Sequence, residues 1–149
     1  MVDSFKQIAI GSDHAGFVLK EYLRQQFDNS GHEFHDFGTF SGQSVDYPDT
    51  AHPLAKAVQS GEYKYGILIC GSGNGVAIVA NKYTGIRAAI CWNEDITRLS
   101  RQHNDANILV LPARFIKMEE ADRFVDLFLT TGFEGGRHQR RIDKINDIL

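Results

Sequence analysis

The sequence has no long hydrophobic run, because no stretch of about 20 residues is apolar enough to cross a bilayer. It also does not begin with a basic segment followed by an apolar core, which is the pattern of an export signal. Cysteine is scarce: Cys70 and Cys91 are the only two, too few to form a disulfide framework. We therefore expect a cytoplasmic protein with reduced thiols and no membrane attachment.

Common metal-ligand spacings are missing as well, since neither CxxC nor HExxH occurs and the six histidines are scattered. The chain carries 16 lysines and arginines against 19 aspartates and glutamates, which is a net charge of −3. A molecule with that balance lacks the basic excess that attracts a protein to nucleic acid. The sequence therefore predicts neither a metal cofactor nor a nucleic-acid partner.

The remaining composition is that of an ordinary globular protein, with 42% hydrophobic and 23% charged residues. No internal repeat, low-complexity tract or linker divides the chain. Its 149 residues are enough to bury a sizeable core as one unit. We predict a single domain over residues 1–149.

Short apolar runs alternate with amphipathic segments five times, and one more helical segment follows. The predicted strands are 7–10, 33–37, 66–70, 87–91 and 107–111. The predicted helices are 17–27, 50–59 (interrupted near its start by Pro53), 76–81, 94–102, 118–129 and about 137–148. Such alternation favours a parallel sheet covered on both faces. The predicted fold class is α/β, a three-layer α/β/α Rossmann-like sandwich with a five-stranded parallel sheet.

The chain is organised around residues 66–75, GILICGSGNG, where an apolar run ends in Cys70 and a glycine-rich loop follows. Glycines at 71, 73 and 75 let a backbone approach a ligand closely and expose N–H donors. The helix predicted next adds partial positive charge, which suits an anion and a thiolate. A dinucleotide fingerprint would need glycine where Val76 stands, and no Gly-Lys-Ser/Thr ending follows, so one small oxyanion fits better. A mere tight turn explains one or two glycines, but not three beside a cysteine.

Polar residues near the ends of the first two predicted strands are further candidates. Asp13 and His14 follow the first strand, although Asp13 could simply cap the next helix and His14 could be a surface residue. Asp46 and Tyr47 lie in the loop after the second strand and could line a pocket. Residues of these types are also common as turn formers beside a proline, so both interpretations stay open.

A third group lies in the second half of the chain. His103 and Asn104 precede the fifth strand, where a turn with a carbonyl-capping histidine is the alternative explanation. Arg114 follows that strand on the side where parallel sheets bind ligands. Arg137 and Arg141 are four residues apart, so they project from one helix face and could clamp a phosphate. The alternative for this pair is a solvated basic face on a terminal helix.

Taken together, seven segments resemble the type B ribose-5-phosphate isomerases, in the superfamily that includes the galactose-6-phosphate isomerase subunits. They span nearly the whole chain in order: GSDHAGF at Gly11, VDYPD at Val45, ILICGSGNG at Ile67, ANK at Ala80, GIRAA at Gly85, SRQHNDANIL at Ser100 and EGGRHQRRI at Glu134. The resemblance implies interconversion of D-ribose 5-phosphate and D-ribulose 5-phosphate through an enediolate, in the non-oxidative branch of the pentose phosphate pathway. It implies no metal or organic cofactor.

The resemblance also implies a homodimer, or a tetramer built from such dimers, with the active site shared across the interface. The C-terminal helix would contribute to the dimer and to the phosphate site. Two alternatives remain at this stage. One is isomerisation of a six-carbon sugar phosphate such as allose 6-phosphate or galactose 6-phosphate, and the other is a non-catalytic sugar-phosphate-binding module.

Roles for individual residues follow from the resemblance. Cys70 would be the base that moves a proton between carbons 1 and 2, and Val76, which cannot take a proton, stands where some relatives have a glutamate base. His103 would be the acid that helps to open the sugar ring, with Asp13 near the ring oxygens. His103 and some arginines are expected from the partner subunit. The remaining residues expected to bind substrate are His14, Tyr47, Gly71, Ser72, Gly73, Asn74, Gly75, Asn104, Arg114, Arg137 and Arg141.

Overall fold

The structure, a computed structural model, describes residues 7–28 and 30–147. Strands and helices alternate along these residues, as predicted. The strands are β1 (Gln7–Ser12), β2 (Glu33–Asp36), β3 (Tyr65–Cys70), β4 (Ala88–Ile90) and β5 (Ile108–Pro112). The helices are α1 (Phe17–Gln26), α2 (Pro48–Gln59), α3 (Asn74–Ala80), α4 (Glu94–Gln102), α5 (Met118–Thr130) and α6 (Arg137–Asp143). In the described part of the chain, no helix is long and apolar enough to cross a membrane.

The largest differences from the predicted helices are in α2 and α6. Pro53 lies inside α2 without interrupting it, so the predicted break is wrong. The helix already begins at Pro48, and it continues past Pro53 because one face packs into the core through Ala51, Leu54 and Val58. Proline removes only one backbone hydrogen bond there. At the other end of the chain, α6 stops at Asp143 and turns follow it, earlier than the predicted end near residue 148.

The five strands form one parallel sheet in the order β2-β1-β3-β5-β4. The chain leaves β1 into α1, which packs with α5 on one face, and leaves β3 into α3, which packs with α2 on the other. Adjacent strands whose connections leave to opposite faces open a crevice at their carboxyl ends. The ends of β1 and β3, at Ser12 and Cys70, form such a switch point.

The core consists of two layers, one on each face of the sheet. Alternate residues of β3 divide between them, so that Ile67 and Ile69 face α1 and α5 whereas Leu68 and Cys70 face α2 and α3. Side chains of this size, fully removed from water, each stabilise the fold by about 1.5–3 kcal/mol. The central strand is therefore a rigid support for the residues at its carboxyl end.

Gly16 lies where the start of α1 passes closest to the central strand. A Cβ atom there would be 2.6 Å from the carbonyl oxygen of Ile69 and 2.9 Å from its carbonyl carbon. Because those atoms belong to the backbone of β3, they cannot move aside cheaply. We predict that Gly16→Ala lowers the free energy of unfolding by about 1–3 kcal/mol, the usual cost of overpacking, as measured by urea denaturation.

The matched control is Gly132→Ala, because a Cβ at Gly132 meets no atom within 4 Å and its φ lies outside the left-handed region. We expect that variant to stay within about 0.5 kcal/mol of the parent protein. Equal stabilities for the two variants would show that the contact between α1 and β3 is looser than described.

Candidate active site

Cys70 ends β3, and the glycine loop turns back over its side chain. The N–H of Gly73 donates a hydrogen bond to Cys70 Sγ at 3.2 Å, which stabilises negative charge on the sulfur. Gly73 has φ of +80°, a left-handed conformation that glycine adopts without strain, and it is the residue from which α3 begins. The local fold therefore directs a backbone donor at the thiol.

A cleft of about 380 Å³ opens beside Cys70 at the carboxyl edge of the sheet. The loops after β1, β3 and β5 all reach it, together with the start of α2. Eight of the residues predicted from the sequence line it: Asp13, His14, Tyr47, Cys70, Gly71, Ser72, Gly75 and Arg114. The structure thus brings together side chains separated by about a hundred positions in sequence, and it places Gly73 at the N-cap of α3 and Asn74 at the first residue of that helix.

Asp13 directly follows β1, at the switch point between β1 and β3, and its side chain is largely buried. Its N–H donates to the carbonyl of Ile69 at 3.2 Å, and its Oδ1 accepts from the N–H of Gly16 at 3.1 Å. The N-cap position of α1 is Gly16, so the cap suggested for Asp13 is wrong in detail. The Asp13 carboxylate instead stabilises the turn before the helix through this hydrogen bond, and the same side chain lines the cleft.

The orientation of His14 is set by the loop that follows β2. Its Nδ1 accepts a hydrogen bond from the N–H of Val45 at 3.1 Å, which assigns the proton of a neutral ring to Nε2. The same loop is attached to the end of β1, since Ser12 and Gly38 are joined by an N–H to carbonyl bond of 2.6 Å. His14 can therefore donate from Nε2 to an anionic group.

Two close approaches shape the walls of the cleft. The ring of Tyr47 packs on Gly75, where a Cβ would meet ring carbons at 2.7 to 2.9 Å. Glycine at 75 is what allows the phenol to reach the loop. The side chain of Arg114 lies on Gly71, with a guanidinium nitrogen 3.2 Å from the position of a Cβ there. The backbone N–H of Arg114 donates to the carbonyl of Gly71. The cleft thus carries a positive charge close to the thiol.

The other predicted residues do not reach this cleft. His103 and Asn104 precede β5 and so lie toward the amino edge of the sheet, whereas Cys70 is at the carboxyl edge. They line a second cleft of about 350 Å³ together with Arg141 and two apolar side chains of the C-terminal segment. Arg137 is exposed at the start of α6 and lines neither cleft.

Sequence reasoning missed His138, which also lines the second cleft. Its ring stacks on that of His103, with centroids 4.1 Å apart and planes within 12°. Burial lowers the pKa of His138, and the neighbouring charges of His103 and Arg137 lower that pKa further. The spacing of four between Glu134 and His138 was the only sequence signal, and such spacings are common on exposed helices.

Cys91 is a structural cysteine in the core. Its side chain is fully buried, and burial raises the pKa of its thiol against weaker opposing hydrogen bonds from Ser100 and Thr97. A buried thiol of this kind behaves as a small apolar group. Cys70 therefore differs from Cys91 in lining a cleft and in accepting a backbone hydrogen bond.

The chain is similar to known proteins along almost its whole length. Residues 8–145 match the Ribose/Galactose Isomerase family. Ribose-5-phosphate isomerase B of Escherichia coli is 46% identical over 143 residues, which is 96% of either chain. Among solved structures, a ribose 5-phosphate isomerase of Thermotoga maritima superposes with a TM-score of 0.93 at 53% identity, covering 95% of this chain and 98% of that one. The ribose-5-phosphate isomerase B of Mycoplasma genitalium, solved with bound ribulose-5-phosphate, superposes with a TM-score of 0.89 at 43% identity, covering 93% of each chain.

Proposed function

The chain belongs to the ribose/galactose isomerase family, and on that premise we propose that it interconverts D-ribose 5-phosphate and D-ribulose 5-phosphate. The observation that carries the proposal is the sulfur of Cys70, which accepts the N–H of Gly73 beside a cleft lined with polar side chains. Relatives named for this reaction match nearly the full chain, and one was solved with ribulose-5-phosphate bound. We place the enzyme in the cytoplasm, where the thiol stays reduced.

Cys70 acts as the base in the isomerisation step. Its thiolate takes the proton from carbon 2 of the open-chain aldose, and the electron pair moves to form a carbon–carbon double bond while the aldehyde oxygen becomes an oxyanion. Returning the proton to carbon 1, while the proton of the carbon 2 hydroxyl is transferred to the oxyanion on carbon 1, produces the ketose. Such a general base contributes about 10²–10⁴-fold to a rate.

The glycine loop stabilises the developing oxyanion. Two of its N–H groups are used internally, because Gly73 donates to Cys70 and Asn74 donates to the hydroxyl of Ser72 at 3.2 Å. The N–H groups of Gly71, Ser72 and Gly75 therefore remain for substrate oxygens. Removing one donor of this kind costs other enzymes about 2.7–4 kcal/mol of transition-state stabilisation.

The remaining parts of the site come from a second subunit. Within one chain the two clefts share no lining residue and lie toward opposite edges of the sheet. In the proposed homodimer, the partner presents His103 for ring opening and Asn104 for the sugar, while Arg137 and Arg141 on its C-terminal helix bind the phosphate together with His14 and Arg114. Phe115, which lines the Cys70 cleft and is 74% exposed, offers an apolar rim for such a partner. A tetramer would pair two such dimers.

A turnover assay with a chelator present tests the proposal. We expect ribose 5-phosphate to be converted to ribulose 5-phosphate at the same or a higher rate in excess chelator, because Cys70 and the backbone donors need no metal. Catalytic efficiency on allose 6-phosphate and galactose 6-phosphate should be lower. Binding of ribose 5-phosphate without exchange of the carbon 2 proton into solvent would instead identify a non-catalytic binding module.

A further inference from the structure

Three side chains with metal-ligating atoms converge at the second cleft, two of them (His103 and His138) in its lining and the third, Glu134, beside them. The Nε2 of His103 is 3.5 Å from an oxygen of Glu134, and the Nε2 of His138 is 3.6 Å from the same oxygen. The three ligand atoms all lie within 4.8 Å of one another. Neither the common metal motifs nor the proposed isomerase reaction accounts for this group.

Backbone contacts bring the cluster together. His103 closes the last turn of α4, and the carbonyl of Gln102 beside it accepts the N–H of Glu134 at 3.0 Å. Two glycines with positive φ then turn the chain into α6, where His138 lies one turn beyond Glu134. The path of the chain therefore places the three residues next to one another.

We propose that His103, Glu134 and His138 form a site for a divalent transition-metal ion of the Zn²⁺ class, and that the bound ion inhibits the enzyme by occupying the imidazole of His103. Two imidazole nitrogens and one carboxylate oxygen are a ligand set that binds zinc with a fourth position open. Mg²⁺ and Ca²⁺ prefer oxygen ligands alone, so they bind here weakly. Only the inhibition rests on the proposed function.

The geometry requires a small adjustment of two side chains. Ligand atoms of a tetrahedral zinc site are about 3.3 Å apart, given bonds near 2.0–2.1 Å. The separations from Glu134 are already close to that value, but the stacked rings must tilt so that both lone pairs meet at one point. The side chains of His103 and Glu134 are 41% and 52% exposed and are free to move, whereas His138, at 10%, is the fixed ligand.

Protons and nearby cations both compete with a bound metal ion. Metal binding needs the two imidazoles in their neutral form. Arg137 and Arg141 add positive charge nearby, which opposes a cation and keeps its affinity below that of a structural zinc site. We therefore expect reversible binding that a chelator removes.

Calorimetry with Zn²⁺ on the chelator-treated full-length protein, freed of chelator, tests the site directly. We expect one ion per chain, and a loss of affinity of tenfold or more in Glu134→Gln, which removes a ligand and keeps the side-chain size. The matched control is Glu119→Gln, an exposed carboxylate at the start of α5, which follows the carboxyl end of β5. Equal Zn²⁺ affinities of Glu134→Gln and Glu119→Gln would show that Glu134 is not a ligand and would overturn the proposed site.

The cysteine thiols could bind the metal ion in place of the histidine and glutamate side chains. The visible absorption of bound Co²⁺ distinguishes the two kinds of site. Ligation by nitrogen and oxygen produces weak visible bands, whereas a thiolate adds intense sulfur-to-metal charge-transfer absorption. We expect only the weak bands, and they should be lost in Glu134→Gln. Charge-transfer absorption that persists in that variant places the ion on a cysteine and overturns the proposal.

Turnover with added Zn²⁺ tests the regulatory part. Each variant is compared with its own metal-free rate, and we expect inhibition of the parent protein and of Glu119→Gln at concentrations tenfold or more below those needed for Glu134→Gln. If Zn²⁺ binds without inhibiting turnover, the proposed inhibition is wrong, but the metal site itself is still supported. Failure of every form to turn over ribose 5-phosphate overturns the proposed function instead, since calorimetry and Co²⁺ absorption need no substrate.

Discussion

Replacement of Cys70 by alanine is expected to lower kcat by about 10²–10⁴-fold, the contribution of a positioned general base. The methyl group cannot take the carbon 2 proton, and the N–H of Gly73 loses its acceptor. Substrate binding should change little, because the phosphate contacts lie elsewhere in the proposed site. The measurements are kcat on ribose 5-phosphate, exchange of the carbon 2 proton in deuterated water, and calorimetric binding of ribose 5-phosphate.

Cys91→Ala is the matched control, because it removes the same atom from a thiol that is fully buried and outside the cleft. We expect an unchanged kcat and a loss of stability of about 1 kcal/mol, a usual cost for a small truncation in a core. A Cys70→Ala enzyme that keeps the parent rate would exclude the thiol as the base. The carboxylate of Asp13, in the same cleft, would then be the next group to test.

The central strand and its loop could be predicted because their signal is local. Five apolar residues followed by three glycines in five positions indicate a strand and a close backbone turn wherever they occur. The structure extends that strand by one residue, to Tyr65. The course of α2 was less predictable. The helix continues through Pro53 because packing on the sheet outweighs one lost hydrogen bond, and the general effect of proline on a helix does not take that packing into account.

The Cys70 cleft was predictable for a topological reason. Residues that follow the carboxyl ends of parallel strands meet at one edge, which brings Asp13, Cys70 and Arg114 together once the sheet is recognised. Tyr47 is a different case, since its approach depends on the missing side chain of Gly75. Glu134 and His138 were missed because their contact with His103 crosses a turn whose direction depends on the bond from Glu134 to Gln102.

Mixing two impaired variants, Cys70→Ala and His103→Ala, is expected to restore about a quarter of the parent activity after random exchange in a symmetric dimer. Half of the dimers are then mixed. In a mixed dimer one site combines both defects, while the other joins an intact Cys70 to an intact partner His103. The separation of the two clefts within one chain is the reason to expect this pairing.

The matched control mixes Cys70→Ala with Asp13→Asn, whose two altered residues line the same cleft. Every site of that mixed dimer keeps one defect, so no activity should return. Subunit exchange is followed by native mass spectrometry, with one variant carrying heavy nitrogen to separate the masses. Mixed dimers that form without recovery in the first pair would contradict the shared site, because His103 would then serve the Cys70 of its own chain or no Cys70 at all.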